Sequence, residues 1–143
     1  MNKQTDPAFI KKKSVLVACA IVEDAGGKVL VTQRSETMTL PLKWEFPGGK
    51  VEQGESREEA ITREIREELH IEILITGQLP DFTHQYPTFS ITLIPFVCRI
   101  DTGEIKLTEH HTFRWVNPND LLDLDWAAAD IPVAQYYLTT LNN

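Results

Sequence analysis

The chain has little that would place it in an oxidising compartment or a membrane. Only two cysteines occur in 143 residues, Cys19 and Cys98. They lie far apart, each within an apolar stretch and without zinc-ligand spacing, which predicts buried free thiols suited to a reducing cytosol. No apolar run approaches the ~20 residues needed to cross a bilayer, and Met1 to Pro7 carries no apolar signal segment. The expected location is cytoplasmic, with no membrane partner. Positive charge is scarce too: 14 Lys and Arg stand against 21 Asp and Glu, a net charge of -7. The short basic cluster Lys11-Lys12-Lys13 is too small to grip a duplex, which argues against non-specific nucleic-acid binding. A free nucleotide is still admissible, because a bound divalent cation inverts the local field. Internal repeats and low-complexity linkers are missing, and 42% hydrophobic residues suffice for one core. The expected organisation is an N-terminal extension, 1–13, and a single domain, 14–143, as a monomer or homodimer.

What is present alternates between strand and helix signals. Ser14 to Glu23 reads as a strand, Asp24 to Gly27 as a turn, and Lys28 to Arg34 as a returning strand. Ser35 to Leu42 reads as a loop, and Trp44-Glu45-Phe46 as a short extended piece stopped at Pro47-Gly48-Gly49. Those glycines permit either a left-handed turn or close approach of the backbone to a ligand. Ser56 and Glu59 form a capping box, and Ile61, Ile65 and Leu69 recur at four-residue spacing, so a helix with a buried stripe follows. Strands are expected over Ile71–Leu79 and Phe89–Ile100, joined by a polar, aromatic loop from Pro80 to Pro87. A turn is expected at Asp101–Gly103, a strand at Thr112–Val116, and a helix start near Asn117–Asp120. Asp130 is the expected N-cap of a last helix that reaches Leu141, with Pro132 in its first turn. The fold class is α/β, a mixed sheet sandwiched between helices.

The chemistry concentrates on the first helix. Glu64 and Glu68 are four residues apart and Glu67 lies between them, so the carboxylates flank the apolar stripe and line a cleft. Like charges at that spacing cost a few tenths of a kcal/mol, so surface stability alone does not favour them. Arg63, one turn from Glu59 and Glu67, can neutralise or orient a carboxylate. Gly48-Gly49 would let a backbone carbonyl approach the same ion. Oxygen donors with incomplete coordination suit Mg²⁺, or Mn²⁺, when substrate phosphates supply the remaining ligands.

Gly49 to Ile71 resembles the signature of the Nudix hydrolases in Gly49, Glu55, Arg63-Glu64, Ile65, Glu67-Glu68 and the final aliphatic Ile71. Trp44 to Gly49, the Glu109 region and Ala129-Asp130-Ile131-Pro132 are similar to the MutT-like nucleoside triphosphate pyrophosphohydrolases. His70 departs from the pattern, which usually has Gly there; a His at positive φ costs roughly 1 kcal/mol. The resemblance implies a Nudix fold and Mg²⁺-dependent hydrolysis of a free nucleoside triphosphate to the monophosphate and pyrophosphate. It implies metal ligands from the Gly48 carbonyl, Glu64, Glu67, Glu68 and Glu109, with Arg63 holding the carboxylates and Glu55 supporting the loop–helix junction. Either Glu64, the preferred candidate, or Glu109 would take the proton.

Substrate selection falls to other residues. Arg34 is expected to contact a phosphate, and Phe46 and Phe82 to flank the base, unless the two aromatics belong to the core. Asp130 stands where similar 8-oxoguanine-specific enzymes have Asn. A carboxylate accepts hydrogen bonds, which suits an exocyclic amine such as that of cytosine. A (d)CTP or modified cytosine nucleotide is therefore the favoured substrate and 8-oxo-dGTP the alternative. The competing classes are a nucleotide-sugar or dinucleotide hydrolase and a non-catalytic nucleotide sensor.

Overall fold

The computed structural model describes residues 13–141. Apart from Lys13, the expected N-terminal extension lies outside these residues. The strands are β1 (Lys13–Val22), β2 (Val29–Gln33), β3 (Trp44–Glu45), β4 (Gly48–Lys50), β5 (Ile71–Gln78), β6 (Phe82–Gln85), β7 (Phe89–Gly103) and β8 (Thr112–Val116), with helices α1 (Arg57–Leu69) and α2 (Ile131–Thr140). The result is an α/β fold with a mixed sheet flanked by helices. In that sheet β1 pairs with β7 in parallel and with β4 antiparallel, and β7 carries β5 and β6 on successive parts of its length. A smaller antiparallel sheet, β3-β2-β8, lies beside it.

β1 is buried on both faces and so divides two cores. Ala18, Ala20 and Val22 face one cluster with Ile61, Ile65 and Leu69 of α1. Cys19 and Ile21 face the other, with Val29, Val31, Trp126 and α2 residues Val133 and Tyr137. Alternation at period two produces this division. Each fully buried aliphatic side chain on α1 contributes about 1.5–3 kcal/mol. The cysteines are free and buried, as expected.

Four expectations need correction. The stretch between Pro80 and Pro87 contains a strand, β6, because Phe82 and Thr83 pair with the free part of β7 and half-buried Phe82 packs on Tyr136. No turn interrupts Asp101–Gly103; β7 runs on because Thr102 and Gly103 still pair with β5. The extended piece stops before Pro47 as expected, but Gly48 and Gly49 are no turn; they form a separate strand, β4, against β1. A Cβ on Gly48 would stand 2.0 Å from the Ala18 carbonyl oxygen, so the glycine serves close approach and not a left-handed turn. Finally, Asp130 precedes α2 without capping it by its side chain. That carboxylate turns inward and accepts the Phe46 N–H at 3.0 Å. The helix expected near Asn117 is a 3-10 helix, Pro118–Asp123.

Candidate active site

The site is assembled around both ends of α1. At its start Ser56 accepts from the Glu59 N–H and Glu59 accepts from the Ser56 N–H, completing the capping box. This leaves Glu59 occupied, and Arg63 reaches other partners. It donates to Glu55 at 2.6 and 3.0 Å, Glu64 at 2.9 Å, Glu67 at 3.2 Å and the Lys50 carbonyl at 3.0 Å. The bonds from Arg63 hold the Glu55 carboxyl down to about 2. Arg63 thereby joins β4, the following loop and the acidic face of α1.

At its other end α1 stops at His70, whose φ of 60° and ψ of 33° are left-handed. The helix carbonyls exposed there are taken by the loop after β7. Thr108 donates its hydroxyl to the Glu67 carbonyl at 2.8 Å and its N–H to that of Glu68 at 3.2 Å, while the Lys106 N–H bonds Leu69. Orphan carbonyls at a helix end thus become the anchor of a distant loop. On the other side the His111 N–H donates to Gln33 of β2 at 2.9 Å. The consequence is that Glu109 and His110 join Glu64, Glu67 and Glu68 around a cleft of about 220 Å³.

Within the cleft Glu67 and Glu109 are exposed, whereas Glu68 is half-buried. Burial and the neighbouring Glu45 and Glu64 charges push the Glu68 carboxyl up to about 9, against the Gly48 N–H that donates to it at 3.1 Å. A Cβ on Gly49 would stand 2.1 Å from Glu64 Oε2, so a side chain there would displace the Glu64 carboxylate. Among the described residues no group of three or more His, Cys, Asp or Glu side chains is placed to hold a metal ion by itself.

A second, larger cavity of about 570 Å³ adjoins these elements. Arg34, Thr39, Glu45, Lys50, Tyr86 and Asp130 supply its polar wall. Arg34 is tied to Glu45 at 2.9 Å and to Thr39 through two further bonds. Asp130 is buried, and its carboxyl is raised to about 8 by desolvation and by Glu45, opposed by the Phe46 N–H and Arg34. Phe46 and Phe82 do not line this cavity. Phe46 is core, its ring centroid 4.8 Å from that of Trp126, and Phe82 meets Tyr136.

Glu45, His110 and Lys50 were not singled out from sequence. Glu45 is flanked by Trp44 and Phe46 in a two-residue strand, and His110 follows Glu109 directly; adjacency was the one signal available. His110 is buried, with Nε2 2.8 Å from Glu45 Oε2.

A mixed sheet flanked by helices, with a glutamate-lined helix against a glycine strand, is the architecture of a Nudix fold. The chain belongs to the Nudix family: residues 13–137 match the NUDIX domain. It is a MutT-like hydrolase of that family, whose members are typically Mg²⁺-dependent. It is similar to the CTP pyrophosphohydrolase of Escherichia coli K12, 33% identical over 88% of this chain and 93% of that one. It is also similar to the 8-oxo-dGTP diphosphatase of Haemophilus influenzae, 34% identical over 77% and 81%. The solution structure of MutT from methicillin-resistant Staphylococcus aureus superposes with a TM-score of 0.73 at 39% identity, covering 91% of this chain and 99% of that one. No helix among the described residues is long and apolar enough to cross a membrane.

Proposed function

We propose that residues 14–143 form one domain that hydrolyses a (deoxy)nucleoside 5′-triphosphate to its monophosphate and pyrophosphate, with Mg²⁺ as the cofactor. One observation carries this reading: a partly buried carboxylate cleft opens beside a cavity large enough for a nucleoside, with Glu45 between them. The donor set fits a hard divalent cation. Glu68 is raised by burial and by like charges, with one backbone N–H as its hydrogen-bond donor, which a cation would offset. Glu64, Glu67, Glu68, Glu109 and the Gly48 carbonyl would hold the ion, and substrate oxygens would complete its coordination. When bound, Mg²⁺ screens the phosphate charge and eases deprotonation of water.

The chain's own groups do the rest. Arg63 fixes Glu64 and Glu67, so their carboxylates are preorganised. Glu64 takes the proton of the water whose oxygen bonds the β-phosphorus. The bond from that phosphorus to the oxygen bridging it to the α-phosphorus breaks, and the electron pair leaves with the monophosphate. Arg34 and Lys50 face the nucleotide cavity and offer positive charge to the triphosphate.

Asp130 would read the base. As an ionised acceptor it suits the exocyclic amine of (d)CTP or a modified cytosine nucleotide. The similarity to a CTP pyrophosphohydrolase supports this choice. A second reading rests on the burial of Asp130, which favours the neutral acid. A protonated carboxyl both donates and accepts, as an amide does, and that pattern suits 8-oxo-dGTP. The test is a kinetic screen of CTP, dCTP, 5-methyl-dCTP, dGTP and 8-oxo-dGTP with Mg²⁺ and with EDTA. Metal-dependent pyrophosphate release with a cytosine nucleotide leading is expected. Equal hydrolysis in EDTA, or none with any triphosphate, rejects the reading.

A further inference from the structure

We propose that His110 is a positioning residue: its ring holds Glu45, and Glu45 in turn holds Arg34 at the wall of the nucleotide cavity. This role rests on the nucleotide reading above. His110 belongs to the small acidic cleft and Arg34 to the large cavity. One carboxylate connects them. With Glu45 ionised, the His110 Nε2–H donates to Oε2 at 2.8 Å and Arg34 Nη1 donates to Oε1 at 2.9 Å. The backbone carbonyl of Glu45 also accepts the Thr32 hydroxyl at 3.1 Å, so the strand beneath is fixed and the side chain has little freedom.

The charges around Glu45 explain why two donors are needed. Glu68 lies on one side and Asp130 on the other, and each is pushed up by the Glu45 charge. Each neighbour is thereby biased toward its neutral form, and the Glu45 carboxylate is held by the donors on its two oxygens. His110 supplies a bond from the cleft side and Arg34 one from the cavity side. The histidine is an uneconomical choice for packing alone, because its Nδ1 is buried with no hydrogen-bond partner. Such an orphan lowers stability, and leucine or phenylalanine would avoid it. The bonds of the 104–111 loop to α1 and β2, with the pairing of β3 to β2, bring residues 45 and 110 together.

The test uses the whole chain and two variants. His110→Phe keeps a ring of similar size without the Nε2 donor, and His110→Gln keeps an amide donor. Two measurements are made: the side-chain Nε–H exchange rate of Arg34 by NMR, and kcat and KM for the best triphosphate of the screen. In His110→Phe, Arg34 exchange should accelerate about tenfold and KM rise about tenfold, with kcat within about threefold of wild type. His110→Gln should restore most of both. In an Arg34→Ala background, His110→Phe should change KM less than about twofold. Unchanged Arg34 exchange in folded His110→Phe overturns the proposal, as does an undiminished KM effect in the Arg34→Ala background. Should His110→Phe not fold, wild-type exchange and KM in His110→Gln support the proposal, and disturbance of both despite a native fold overturns it. The exchange measurement needs no turnover, so a chain that hydrolyses no triphosphate would reject the nucleotide reading while the link to Arg34 is still decided.

Discussion

Glu67 and Asp130 show how differently two carboxylates of one fold can be used. Glu67 is exposed, and its ion pair with Arg63 at 3.2 Å is worth only a few tenths of a kcal/mol. Glu67→Ala should therefore leave the melting temperature nearly unchanged while turnover falls more than about tenfold, as expected for a group acting mainly in the transition state. A folded variant keeping more than about a tenth of wild-type kcat would remove Glu67 from the mechanism. Asp130 is buried against the Phe46 N–H. Asp130→Asn keeps the acceptor and adds a permanent donor at nearly equal volume. It should move the CTP to 8-oxo-dGTP ratio of kcat/KM toward 8-oxo-dGTP by about 5- to 150-fold. A change below about twofold would show that Asp130 does not read the base. The same variant has a pH signature. Burial pushes the folded Asp130 carboxyl up to about 8, so its contribution to stability is present below the unfolded value of ~3.9 and lost as pH rises through about 8. Asparagine does not titrate, and its stability relative to wild type should increase between pH 5 and pH 9 in thermal melts.

For elements, the end of α1 is the informative place. His70 holds φ at 60° where glycine would be unstrained, yet its Nδ1 lies 2.9 Å from the Lys106 carbonyl oxygen, part of the loop that carries Glu109. The strain and the hydrogen bond are each worth about 1 kcal/mol and oppose one another. His70→Gly removes both, whereas His70→Ala removes the bond and retains the strain. Urea unfolding should place His70→Gly within about 0.5 kcal/mol of wild type and His70→Ala roughly 1 kcal/mol below His70→Gly. Equal midpoints for the two variants would show that the positive φ carries no cost here.

The whole molecule carries a net charge of -7, and its acidic cleft adds local repulsion to that excess. Mg²⁺ binding to the folded state should raise stability by about 2.7 kcal/mol at a hundred times its dissociation constant. The gain should depend on pH. Glu68 is raised to about 9, so the stability it lends the metal-free fold is present below ~4.3 and lost as pH rises through about 9. A cation favours the ionised form and should stabilise most on the alkaline side of that window. Melting curves at pH 6 and pH 9, with and without MgCl₂, measure this directly. No Mg²⁺-induced shift at either pH would exclude a cation site at Glu68.

The capping box at Ser56, the Ile61–Ile65–Leu69 stripe and the grouping of Glu64, Glu67 and Glu68 were legible in the sequence because each depends on residues within a few positions of one another. β1 and β2 were legible through their apolar content and the turn between them. The resemblance carried by Gly49 to Ile71 named the family. β6 was not legible, because its strand state depends on the unpaired length of β7. Asp130 read as a cap because its sequence position before Pro132 fits one. Its partner is the Phe46 N–H, 84 residues away. His110 and Glu45, 65 residues apart, meet for the same kind of reason. Helix caps and apolar periodicity are set by local backbone geometry and can be read in order along the chain. The cleft, the cavity and the link between them arise from packing and hydrogen bonds between remote segments, and tertiary structure alone decides which distant groups come within bonding distance.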